Sequence, residues 1–144
     1  MAGICFFFEH PDVDVWSGKD LDAWHYAARI AGDIDRMMVV NKTGMVLESP
    51  DRALDFQVVG ALPILPNACF LTTPKERFHP EQPLWDYDHR ADWYVFGPAS
   101  GWTGNLPSMD GEHVVYIPQS GFAHCHSVHV ATAVMFHRYH VRNS

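Results

Sequence analysis

No part of this 144-residue sequence stays apolar for the ~20 residues that a membrane-spanning helix needs. The opening run Ile4-Cys5-Phe6-Phe7-Phe8 has no basic leader and meets Glu9 too early for a secretory core, so no signal peptide is expected. Cysteine is scarce. Cys5, Cys69 and Cys125 are far apart, odd in number and without a C-x-x-C pair, which fits reduced thiols in a cytoplasm better than a disulfide framework. Positive charge is also short: ten Lys and Arg against seventeen Asp and Glu leave a net −7. That balance argues against a broad electrostatic attraction to nucleic acid, so any such contact must come from a local patch, a dimer groove or shape. The ten histidines are neutral in this count and would soften it at mildly acidic pH. Internal repeats and low-complexity stretches are missing as well.

What is present fits a globular chain: 47% hydrophobic and 19% charged residues, with a length suited to a single domain over 1–144. Five Trp, five Tyr and nine Phe indicate a dense core, an aromatic interface, or both. Short apolar runs recur at Gly3–Phe8, Arg36–Val40, Phe56–Val59, Ala68–Leu71, Trp93–Phe96 and Val114–Ile117. Their apolarity is continuous, not alternating, which predicts strands covered on both faces, as in a parallel sheet. Turn signals follow them, among them His10-Pro11, Thr73-Pro74 and Gly97-Pro98. Leu21–Ala31 reads as a helix between Asp20, a fit N-cap, and Gly32; Ser127–Tyr139 reads as a second, with Val128, Ala131, Val134, Met135 and Tyr139 on its apolar face. Pro80–His89 reads as an irregular surface loop. Strands alternating with helices predict an α/β fold, a mostly parallel sheet flanked by helices.

Four motifs then follow in order. Phe70-Leu71-Thr72-Thr73 ends a strand, and Tyr94-Val95-Phe96-Gly97-Pro98-Ala99-Ser100-Gly101-Trp102 ends another. Val115-Tyr116-Ile117-Pro118-Gln119 comes next, and Ser127-Val128-His129-Val130 opens the last helix. The ordered set resembles the SPOUT superfamily, most of all its small tRNA wobble-ribose 2′-O-methyltransferases. Their motifs are Leu-Thr-Thr, Phe-Gly-Pro-Glu with a nearby Gly-Leu, Ile-Pro-Met, and Ser-(Leu/Met)-Asn at a helix start. The resemblance covers roughly residues 70–139. The N-terminal half is similar in its Phe8-Glu9-His10-Pro11 strand end and in Arg29, but Ala23 and His25 replace the Asn-x-Gly that precedes the family's helix-borne arginine. The stretch between the second and third strands is shortened by most of a helix.

The resemblance implies a C-terminal deep trefoil knot, a homodimer with an active site completed across the interface, and S-adenosylmethionine as methyl donor for RNA, tRNA above all. Leu71, Thr72, Gly97, Gly101, Ile117, Ser127 and Val128 would form the donor site, with glycine backbones approaching the adenosine closely. Arg29, Ser127 and His129 would be the catalytic set. Arg29 stays protonated, so it would stabilise a developing ribose alkoxide and hold a phosphate without serving as a base. His129 has the pKa range of a proton acceptor. Three residues depart from the family: Ala99 for Glu, His129 for Asn, and His126 for Arg. They motivate a second reading, a knot that binds without transferring. The His124-Cys125-His126-Ser127-Val128-His129 run holds metal-ligand types, but its spacing is not a usual four-ligand pattern, and no metal is expected. His137, Arg138 and His140 are explained by the helix dipole. Trp85, Tyr87, Trp93 and Trp102 offer a base-stacking platform or core filling. Lys75, Arg77, His79, His89 and Arg90 form the one locally basic stretch.

Overall fold

The computed structural model describes residues 2–8, 25–27, 29–42, 44, 46, 48–49, 53–72, 82–97, 113–118 and 128–143, with side chains of the last segment from 130 onward. Seven strands form one sheet: β1 (Ala2–Phe8), β2 (Ile34–Asn41), β3 (Asp55–Val59), β4 (Ala68–Thr72), β5 (Gln82–Pro83), β6 (Trp93–Phe96) and β7 (His113–Tyr116). They lie in the order β3-β2-β1-β6-β4-β7-β5, and every neighbouring pair is parallel. One long helix, α1 (Val128–Arg142), follows the last strand. Residues 25–27 and 29–30 are also helical, inside the expected Leu21–Ala31 helix.

The continuous apolar runs have the meaning expected of them. All seven residues of β1 are buried, because successive side chains enter two separate cores. On one face Ile4, Phe6, Phe8, Met37, Val39, Leu71 and Phe96 pack with Ala131, Val134 and Met135 of α1. On the other, Cys5, Phe7, Met38, Val40, Phe70, Trp93 and Val95 pack under Leu65. At Gly3 the space for a side chain is already taken: a Cβ there would sit 2.7 Å from the Trp93 ring, which lies opposite it in the β1–β6 pair. The described residues between β2 and β3 contain no helix.

One expectation fails here. The 80–89 stretch is not simply a surface loop, because it places β5 against β7 and then a 3-10 turn at Leu84–Asp86. Leu84, Tyr87 and His89 are all buried. The cause is chemical: Leu84 and Tyr87 carry enough apolar surface to join the core beneath α1.

Candidate functional site

The sheet order brings the C-terminal ends of β6, β4 and β7 side by side. Register fixes the juxtaposition, with Leu71 opposite both Phe96 and Val115, and Thr72 opposite Tyr116. Chain order reverses across β1, β6 and β4, and open parallel sheets receive ligands beyond strand ends at such reversals. Leu71, Phe96 and Ile117 are buried there and form an apolar wall. Thr72 is buried too, and its hydroxyl donates to the Val115 carbonyl at 3.4 Å, tying β4 to β7 at the rim. Gly97, the first residue past β6, is buried. Four expected donor-site residues, Leu71, Thr72, Gly97 and Ile117, thus share one rim. Val128 and His129 open α1. Gly101 and Ser127 lie outside the described residues, as does most of the three loops that the resemblance expects to form a knot.

Arg29 is not on that rim. It is exposed in the helical segment that leads into β2, and its carbonyl accepts from Gly32 at 2.9 Å. The next residue, Asp33, accepts from the Ala2 amide at the N-terminal edge of the sheet. Arg29 therefore stands near the edge opposite the strand ends. It borders a shallow cavity of about 330 Å³ with Tyr26 and Ile30.

A second constellation was missed by the sequence reading. Arg138 is not a dipole-serving surface cation: it is 1% exposed, paired with Asp33, and its Nε donates to the Tyr94 hydroxyl at 3.1 Å. Burial alone would raise the Asp33 carboxyl, but the hydrogen bond and charge of Arg138, with Arg142 beyond, hold it below the usual carboxylate value. Tyr94 Oη lies 2.8 Å from His89 Nδ1, and His89 Nε2 lies 2.7 Å from His137 Nδ1. Burial first, then the neighbouring His137 and Arg138, push His89 down to about 3, so it is neutral. His137 is lowered by burial and then by His140, while a hydrogen bond with the Trp85 backbone works the other way. One signal was available: position 138 continues the 131, 134, 135 stripe, which marks it as core-facing. The histidine pair had none, since its members are 48 residues apart.

The other expected features sort themselves by burial. Tyr87 and Trp93 belong to the core, whereas Trp85 is 56% exposed with its ring edge-on to His137. The basic stretch is weaker than its composition, because His89 is neutral and Arg90 bonds Asp88 at 2.8 Å. Lys75, Arg77, His79, Trp102 and the 124–127 run lie outside the described residues. Among the described residues no three His, Cys, Asp or Glu side chains converge as a metal site, and no helix is long and apolar enough to cross a membrane.

This parallel α/β arrangement is the fold of known methylase structures. A probable methylase family protein from Haemophilus influenzae Rd KW20 superposes with a TM-score of 0.70 at 11% identity over 99% of this chain. An RNA 2′-O ribose methyltransferase gives 0.62 at 17% identity, and a structure described for 2-OH methylation of C/U34 on tRNA gives 0.59 at 16%, each over 99% of this chain. The chain spans 64% and 57% of the length of the first two and 91% of the third. No protein-family model and no curated protein matches the sequence.

Proposed function

We propose that this chain is an S-adenosylmethionine-dependent RNA 2′-O-ribose methyltransferase that acts on tRNA in the cytoplasm as a homodimer. The observation that carries the reading is the convergence of Leu71, Thr72, Gly97 and Ile117, from three separate motifs, on one rim of adjacent parallel strands. Likeness of fold to methylases whose descriptions name ribose and tRNA methylation supports it.

The rim suits a nucleoside. Its buried Leu71 and Ile117 offer apolar contact for an adenine; Val128 would add to it, and backbone groups after Gly97 and Gly101 would hydrogen-bond the adenosine. Bound there, S-adenosylmethionine would supply an electrophilic methyl group. The protein's own work is alignment: it holds the ribose hydroxyl in line and excludes water. Arg29 stands toward the far edge of its own subunit, so it would serve the rim of a second copy, holding phosphate and steadying the developing alkoxide. Ser127 and His129 would contact the donor or ribose, with His129 taking the proton.

Calorimetric titration with S-adenosylmethionine and S-adenosylhomocysteine, followed by methyl transfer to bulk tRNA, tests this directly. About one ligand per subunit and ribose-methylated product are expected. Donor binding without transfer to any RNA would instead support a knot that only binds, the reading favoured by the net −7 charge and by Ala99, His126 and His129.

A further inference from the structure

The Arg138–Tyr94–His89–His137 chain has a direction. A guanidinium has no acceptor and never loses its proton, so Arg138 must donate to Tyr94. The Tyr94 hydroxyl proton is then free to point at His89 Nδ1, and burial keeps that phenol protonated. His89 is thereby assigned its proton on Nε2, which it donates to His137 Nδ1. Only one proton fits in the 2.7 Å between the two rings.

Protonating the pair breaks this order. A proton on His137 Nδ1 faces the Nε2 proton of His89. Moving the latter to Nδ1 displaces the Tyr94 proton into a buried site. A second proton leaves both rings with donors only, and no arrangement of the contact accepts it. The surroundings add to this. Arg138, Arg142 and His140 on α1 oppose positive charge here, while Asp88 on the loop favours it. Asp33 is already committed to Arg138, and Tyr87, its ring tilted against His89, is held protonated by burial. His113, across Tyr87, keeps to Asn67 and stands outside the contact.

We propose that His89 and His137 form an acid-sensitive clasp that holds the 82–92 segment against α1 while both are neutral and releases it when both take up a proton. His89 itself has a left-handed backbone, φ +57°, so the closed segment is held in a conformation its chain does not favour. The clasp is separate from the methyl-transfer reading and stands whether or not the rim binds a nucleoside.

Hydrogen exchange of the native protein from about pH 7 to about pH 5 tests it, with rates corrected for intrinsic exchange. The reporter is the Tyr87 amide, which bonds the Leu84 carbonyl at 3.0 Å. Release coupled to two protons makes opening about a hundredfold more favourable per pH unit below the free-histidine value of about 6.5. Tyr87 protection should fall at that rate while staying well below that of the β1–β2 amides, which exchange only on global unfolding. His137→Asn retains an acceptor but cannot titrate, and should reduce the dependence to about tenfold per unit. A Tyr87 protection indifferent to pH, an unchanged slope in His137→Asn, or a Tyr87 protection equal to that of the β1–β2 amides at every pH would each overturn the clasp.

Discussion

Arg138 carries a permanent charge into a site 1% exposed, and among the described residues Asp33 and Tyr94 make that tolerable. Removing one member of a buried pair costs more than the pair contributes, because its partner is left without compensation. Arg138→Leu should lower stability by about 2 to 3 kcal/mol; Arg142, 3.8 Å from Asp33, softens the loss. Urea denaturation measures it, and adding Asp33→Asn to that variant should cost less than the two changes summed. At the rim the expectation is opposite. Gly97→Arg should abolish S-adenosylmethionine binding in calorimetry while circular dichroism still shows a folded protein, since a bulky cation would stand at a buried position of the proposed donor rim. Unchanged affinity would place the donor elsewhere. The sequence made the two residues unequally visible. Gly97 belongs to an ordered motif, whereas Arg138 finds Asp33 across 105 positions, a separation no local pattern encodes.

Elements owe their positions here to what their side chains exclude. Gly3 sits where β1 meets β6, with the Trp93 ring in the place of its side chain. Gly3→Ala should therefore overpack the junction by about 1 to 3 kcal/mol, recovered in part when Trp93→Leu is added. A thermal-melt series resolves both. The pH response of the fold has a definite sign. His89, His137 and His113 are all held below the ordinary histidine value, so the unfolded chain binds more protons than the folded one. The stability they contribute is complete above about pH 6.5 and is lost as pH falls toward the value of about 3 for His89. Asp33 adds to the loss lower down, as pH falls through its own lowered value. Melting midpoints should decline steadily on acidification, less steeply in His89→Gln. The strands were legible because both of their faces are buried, so apolarity runs unbroken along them. The 82–92 segment was not, because Asp86, Asp88 and Arg90 separate its buried Leu84, Tyr87 and His89 and give it the composition of a loop.

As a whole, the subunit keeps the proposed catalytic arginine and the proposed donor rim apart, and symmetry offers a test. In a two-fold dimer with shared sites, mixing Arg29→Ala with Gly97→Arg subunits makes heterodimers in which one rim is intact and faces an intact arginine. Random exchange of equal amounts should restore about a quarter of the parent methyl transfer from two inactive proteins. No recovery would place both residues in one subunit's site or remove Arg29 from it. The sheet order also shapes how the molecule is made. β1 is central, yet its two neighbours are β2 and β6, and the latter begins only at Trp93. At ribosomal rates of about 5–20 residues per second, several seconds separate synthesis of Asn41 from that of Trp93. For that interval the Gly3–Cys5 stretch still awaits its β6 partner, on the most apolar strand of the sheet. The nascent chain is thus a natural client for a holding chaperone, and its yield in cells should depend on translation speed between β3 and β6 more than on the stability of the finished protein.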